Sequence, residues 1–177
     1  MKATGVVRRI DELGRIVIPK EIRRTLRIKE GTPLEIYSGD NGELLLKKYS
    51  PVVEMGALAK EVCDSIYNST GLNVLITNME CVVAASSTNK NSYINSPIDS
   101  HIERLINCRK TQIISTLNEN TMLFQNDGNV KLFVISPIFA NGDVYGSIII
   151  FDDKNNIAES ERKIAASFAD YLSRQVE

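Results

Sequence analysis

The chain is poor in the residues that build metal and thiol chemistry. Its single histidine is His101, and its three cysteines, Cys63, Cys81 and Cys108, are odd in number and far apart. No CxxC pair and no Cys/His cluster occurs, so the spacing argues against both a structural zinc site and a disulfide framework. All three thiols are expected to be buried and reduced, the habit of free cysteine. No apolar run approaches the roughly 20 residues that a membrane helix needs. The opening Met1-Lys2-Ala3-Thr4-Gly5 leads into arginine-rich sequence and not into an apolar stretch, which predicts no secretory leader and a cytoplasmic location without membrane contact. No internal repeat and no low-complexity tract is visible.

What remains is the composition of an ordinary globular protein. The 177 residues are 43% apolar and 24% charged, enough for a small domain followed by a medium one. The net charge of −1 hides an asymmetry. Residues 1–49 hold 11 Lys/Arg against 7 Asp/Glu, and residues 50–177 hold 10 against 15. A basic head on an acidic body predicts that only the head meets a polyanion.

Along the head, Thr4–Ile10 and Arg15–Ile18 read as short β-branched strands around the turn Asp11-Glu12-Leu13-Gly14. Pro19 fits the first position of a helix running to about Leu26, with Ile22 and Leu26 on one face. Leu34–Tyr37 and Leu44–Lys47 flank Gly39-Asp40-Asn41-Gly42, a hairpin signal, so the order is ββαββ. Ser50-Pro51 then marks a new start, a serine N-cap with proline in the first turn. The following helix carries Met55, Leu58, Ala59, Val62 and Ile66 as an apolar stripe; Ala59, Cys63 and Tyr67 widen it beyond what one sheet contact needs, so part of it is expected to face a second copy. Strands are expected at 73–77 and 81–85, a polar loop at 86–97, a helix at 101–108 and a strand at 112–116. A hairpin of 132–140 and 144–151 follows, with Pro137 marking an edge. Asn156 is expected to cap the last helix, with Glu159 in the reciprocal position and Ile164, Ala165, Phe168, Leu172 and Val176 inward.

The arginines carry the chemistry. Arg8 and Arg9 close the first strand, Arg15 follows the turn, and Arg23 and Arg24 sit in the helix with Lys20 before them. Planar guanidinium forks on one face suit phosphates and base edges. About 49 residues without metal or disulfide bury too little to fold well alone, so the head is expected to pair with a second copy.

The run from Lys2 to Leu26, with Leu34-Glu35-Ile36-Tyr37 and Leu45-Leu46-Lys47-Lys48-Tyr49, resembles the DNA-binding domain of the AbrB family of transition-state regulators. The whole layout resembles the stage V sporulation protein T family. The resemblance implies a swapped-hairpin dimeric β-barrel over residues 1–50. It also implies that Arg8, Arg15, Arg23 and Arg24 contact double-stranded DNA, with Arg9 and Lys20 as further candidates. Residues 51–177, through Ser136-Pro137-Ile138 and Gly142-Asp143-Val144-Tyr145-Gly146-Ser147-Ile148, are similar to a GAF domain, a sensor fold that often encloses a small ligand. The expected fold class is therefore α+β, a dimeric head with a GAF-like α/β domain behind it.

The implied function is transcription regulation of sporulation genes, by activation or repression, in the cytoplasm of a bacterium and most of all in its developing spore. The implied assembly is a homotetramer, dimeric through 1–50 and paired again through 51–177. No catalytic residue, no metal and no identified cofactor is expected. A pocket for an unidentified ligand is expected under the 86–97 loop. Two other classes compete. An antitoxin would share the head, but its tail would be short. A thiol-dependent methionine sulfoxide reductase on a GAF fold would need an exposed, low-pKa cysteine with a resolving partner. Asp152-Asp153 reads as an acidic loop before a helix, not as a metal site, and His101 as a surface or packed residue.

Overall fold

A computed structural model of the chain describes residues 5–87, 90–115, 130–152, 154 and 156–176. It divides into two compact units, Met1–Tyr49 and Ser50–Glu177.

In the head, the described elements are α1 (Lys20–Thr25), β1 (Leu34–Ser38) and β2 (Leu44–Lys48). The β1–β2 hairpin has the expected register, Leu34 opposite Lys48 and Ser38 opposite Leu44. Its turn is closed by the Gly39 N–H to the Glu43 carbonyl at 2.8 Å. The two strands expected at 4–10 and 15–18 are not formed among the described residues. Only the Asp11 N–H reaches across, to the Arg15 carbonyl at 3.1 Å. The reason is physical: β-branched sequence makes a strand only when a neighbour takes its backbone groups, and these arms find none among the described residues. Pro19 also moves. It precedes α1 in extended geometry (φ −57, ψ 149) instead of occupying the first helical position, and Leu26 is the residue after the helix.

The second unit is a five-stranded antiparallel sheet. Its strands are β3 (Asn73–Thr77), β4 (Val82–Ser86), β5 (Gln112–Ser115), β6 (Leu132–Ala140) and β7 (Asp143–Phe151), in the spatial order β4-β3-β7-β6-β5. Helices α2 (Pro51–Glu54), α3 (Gly56–Thr70) and α6 (Glu159–Val176) cover one face. Helices α4 (Lys90–Tyr93) and α5 (Ser100–Asn107) lie toward the other. The alternation of the strands sorts the core. Val74, Ile76, Val134, Ile138, Ile148 and Ile150 face α3 and α6, while Leu75, Phe133, Ile135, Ile149 and Phe151 face α5.

Several sequence expectations change here. The single helix after Ser50 is broken at Met55 into α2 and α3, and the Ser50 side chain makes no cap bond. Ala59 and Cys63 are 1% and 0% exposed, so they serve their own core and not a second copy. The 86–97 loop, under which the pocket was expected, contains α4, and Cys81 bridges to Pro97; residues 88 and 89 of it lie outside the described residues. Thr116 and Asp153 lie outside them too. The last helix begins at Glu159, and it is Glu161, not Glu159, whose carboxylate reaches back, to the Ala158 N–H at 2.8 Å. Pro137 sits in a strand with neighbours on both sides, yet β5 ends opposite Ile135, so at Pro137 only β7 is adjacent. The missing donor therefore meets no ladder. Cys108 is exposed, against expectation, because it follows α5 at the domain surface.

Candidate nucleic-acid interface

The turn between the two N-terminal arms is the most closely bonded part of the head. The Asp11 carboxylate accepts the backbone N–H groups of Leu13 (3.0 Å) and Arg15 (2.8 Å) on one oxygen. Its other oxygen takes Arg15 Nε at 2.7 Å. The Gly14 N–H closes the turn on the Asp11 carbonyl at 3.0 Å, with Gly14 at φ +75, a conformation that favours glycine. These bonds to the charged form, and the guanidinium beside it, hold the Asp11 carboxyl below its ordinary value.

All the arginines predicted to touch DNA are exposed. Arg15 keeps 71% of its side-chain surface. Arg8 and Arg9 stand on the incoming arm, and Arg8 donates only to the neighbouring Val7 carbonyl. Lys20, Arg23 and Arg24 stand on α1, where consecutive side chains diverge by about 100°, so Arg23 and Arg24 point in different directions. Among the described residues no carboxylate pairs with Arg8, Arg9, Lys20, Arg23 or Arg24, and no hydrogen bond or ion pair joins the arms to α1. The structure thus ties Arg15 to a rigid turn and leaves the other cations as separate exposed donors. Unpaired guanidiniums are the state from which charge-assisted bonds to phosphate oxygens or to a guanine edge form without breaking a protein contact. The sequence reading missed Asp11, which it saw only as a turn residue. An acidic residue accepting from the backbone two to four positions on was the available signal.

Burial adds a second feature. No residue of 5–49 is buried, and twelve of the seventeen exposed large apolar side chains belong to this unit, including Val7 at 85% and Val17 at 72%.

The second unit holds a cleft of about 630 Å³ between the start of β5, β6 and α6. Arg109 and Arg174 stand at it, with Asp170 2.9 Å from Arg174, and Phe139 and Pro137 form an apolar side. The sequence offered no pattern that foretold it. Arg109 takes φ 54 after α5 and donates to the Gly142 carbonyl. The Phe139 N–H donates to Ser173 Oγ at 3.1 Å. The Thr111 and Ser136 hydroxyls pair at 2.7 Å. Two of the three thiols are held toward the protonated form, while Cys108 is exposed. Burial pushes Cys63 up to about 12, and burial also raises Cys81. Among the described residues no group of three or more His, Cys, Asp or Glu is placed to hold a metal ion. No helix among them is long and apolar enough to cross a membrane.

A basic, exposed head on a helix-covered antiparallel sheet defines a two-part regulator. The family described as stage V sporulation protein T C-terminal, transcription factor, matches residues 54–177, and the antidote-toxin recognition MazE family, described as a bacterial antitoxin, matches residues 7–53. Stage V sporulation protein T of Bacillus subtilis (strain 168) is 45% identical over 177 residues, covering 100% of this chain and 99% of that protein. The chain belongs to the stage V sporulation protein T family of transcription factors. Its head is AbrB-like: the transition state regulatory protein AbrB of the same organism is 61% identical over 51 residues, 29% of this chain and 52% of that protein. The second unit has a GAF fold. It resembles the GAF domain of an Acinetobacter phosphoenolpyruvate-protein phosphotransferase (TM-score 0.60, 8% identity, 69% of this chain and 81% of that one). A free methionine-R-sulfoxide reductase from Thermoplasma acidophilum shares that fold (TM-score 0.56, 13% identity, 71% of this chain and 94% of that one).

Proposed function

We propose that the chain regulates sporulation genes by gripping double-stranded DNA through Arg8, Arg15, Arg23 and Arg24, with Arg9 and Lys20 as further phosphate contacts. The observation that carries this reading is the set of exposed cations: Arg8, Arg9, Lys20, Arg23 and Arg24 have no carboxylate partner among the described residues, and Arg15 is held at its turn by Asp11, on a head whose family binds DNA. Each phosphate contact releases counterions, so replacing one of these arginines by alanine lowers the slope of log K against log salt by about 0.9. An arginine on a base edge also separates right from wrong base pairs by about 1–3 kcal/mol, and its loss flattens specificity. Anisotropy titrations of the full chain at four salt concentrations test this; four alanine variants that bind like the parent would overturn it.

Twelve exposed apolar side chains and two unpaired arms favour a second copy at the head, strands interleaved, so that residues 1–50 form a dimeric barrel. We extend the assembly to a homotetramer through residues 51–177, where Val53 on α2 and Tyr171 on α6 stay 52% and 44% exposed. Light scattering on the full chain reads the mass directly, against 19.7 kDa for one copy. A monomer refutes both contacts, and a dimer refutes the tetramer. The GAF-like domain serves assembly or the sensing of an unidentified small ligand, and regulation, by activation or repression, takes place in the cytoplasm of the developing spore.

The competing classes are less well supported. The tail is a full sheet with helices on both faces, unlike a short antitoxin segment that folds on its toxin. A reductase needs an accessible thiolate, and the burial of Cys63 works against one. We therefore read the chain as a non-enzyme.

A further inference from the structure

We infer that Asp11 is a positioning residue for DNA binding: it holds Arg15 by its Nε edge so that the two terminal amino groups of the guanidinium face the DNA. This rests on the reading of Arg15 as a DNA contact. Three bonds carry it, all to one carboxylate. Two come from the backbone of Leu13 and Arg15, at 3.0 and 2.8 Å, and set the path of the turn. The third, Arg15 Nε to Oδ2 at 2.7 Å, sets the side chain. Because Nε and the terminal nitrogens share one rigid plane, fixing Nε from one side aims the opposite edge of the fork outward. That edge makes no bond within the described head, and 71% of the side chain is open to solvent.

Simple electrostatics says that Asp11 should not be there. A carboxylate 40% exposed beside the proposed DNA-contacting arginines repels phosphates and weakens binding. Its presence is accounted for if it gives back more through order than it takes through charge. A free arginine side chain loses rotamer freedom when it is fixed. Here much of that ordering is made before DNA arrives. The same geometry keeps the Arg15 contact directional and not merely cationic.

The two accounts predict opposite signs, which makes the test sharp. The full chain and its variants are titrated by anisotropy against a labelled duplex that the parent protein selects from a random pool. Asp11→Ala should bind about tenfold more weakly than the parent, the loss of roughly one charge-assisted contact, although the head has become more positive. Its salt slope should fall as that of Arg15→Ala does. In an Arg15→Ala background, Asp11→Ala should change affinity less than about twofold, because the group it positions is gone. Asp11→Asn keeps an oxygen for the backbone donors but loses the charge that holds Nε, so it should fall between parent and Asp11→Ala. An amide NMR spectrum of each variant shows whether the head is folded; if Asp11→Ala disrupts it, Asp11→Asn decides. Binding as tight as the parent's or tighter in the folded Asp11 variant, with Arg15→Ala weakened, overturns the inference and leaves the DNA reading intact. Arg15→Ala binding like the parent removes the DNA contact itself, and the inference with it.

Discussion

Gly146→Ala should destabilise the C-terminal domain more than any ordinary surface change. A Cβ built on Gly146 would lie 1.8 Å from the Thr77 carbonyl oxygen, 2.9 Å from Thr77 C and 3.0 Å from Asn78 Cα. Ordinary contact between such atoms is about 3.5 Å, so β7 and the end of β3 must part by well over 1 Å. The obstacle is backbone, which no rotamer change relieves. The strands meet there at register shifts, between Ile76 and Thr77 against β4 and between Ile138 and Phe139 against β7. One residue along, the Thr77 and Ser147 hydroxyls, both 0% exposed, pair at 2.9 Å. Overpacking of this kind costs about 1–3 kcal/mol, and a loosened buried hydroxyl pair adds about 1–2. A total near 3 kcal/mol, divided by an unfolding entropy of roughly 0.27 kcal/mol/K for a domain of this size, lowers Tm by about 10 °C. Calorimetry on the full chain measures it. Gly56→Ala is the control: nothing lies within 4 Å of its added carbon, it opens α3, and it should raise Tm by about 2 °C through the unfolded chain. A Gly146→Ala protein melting within 2 °C of the parent would show that the close approach does not exist in solution.

In the native protein Cys108 should react with a thiol reagent first and Cys63 last, with Cys63 labelled only on unfolding; fast labelling of Cys63 would contradict its burial. Burial raises the Cys63 thiol from 9.0 to about 12, so its contribution to stability is full below pH 9.0 and is lost as pH climbs from there toward about 12. Melting temperature against pH should therefore fall less steeply above pH 9 in Cys63→Ala than in the parent. The Asp11 carboxyl is held down by the Arg15 N–H, the Arg15 guanidinium and the Leu13 N–H, so its contribution is present above the unfolded value of 3.8 and disappears as pH falls through the lower folded one. An NMR titration of Asp11 with a midpoint at or above 3.8 would refute those bonds.

The two halves of the chain were legible in opposite ways. In the C-terminal half, period-2 and helical patterns located every strand and helix of the sheet, apart from α4, because each element buries its own apolar face inside its own domain. What failed there was local. The break at Met55 and the cap at Glu161 depend on backbone hydrogen bonds that residue type only suggests. Gly146 carried no signal beyond being a glycine, since its close neighbour, Thr77, is 69 residues away in sequence. The cleft beside Arg109 and Arg174 was invisible for the same reason: its walls come from the connection between α5 and β5, from β6 and from α6.

In the head the sequence named the chemistry better than the structure. The arginines and their order were readable at once, while the arms that carry Arg8, Arg9 and Arg15 show strand composition without strand pairing. A pattern of β-branched residues states that a segment will pair, not with which chain. No described residue of this unit is buried and Val7, Ile10 and Val17 stay exposed, so these side chains gain little by folding within it. The turn between the arms is different, because Asp11, Gly14 and Arg15 satisfy one another within five residues. Beside α1 and the β1–β2 hairpin, the head therefore has a third locally determined feature, the turn that aims Arg15. Of the other proposed contacts, Lys20, Arg23 and Arg24 stand on α1, itself a local helix, whereas Arg8 and Arg9 stand on an arm with no strand pairing among the described residues. With the head paired as proposed, dilution below its dimer dissociation constant should weaken DNA binding by loosening the Arg8 arm while leaving the Asp11–Arg15 turn formed.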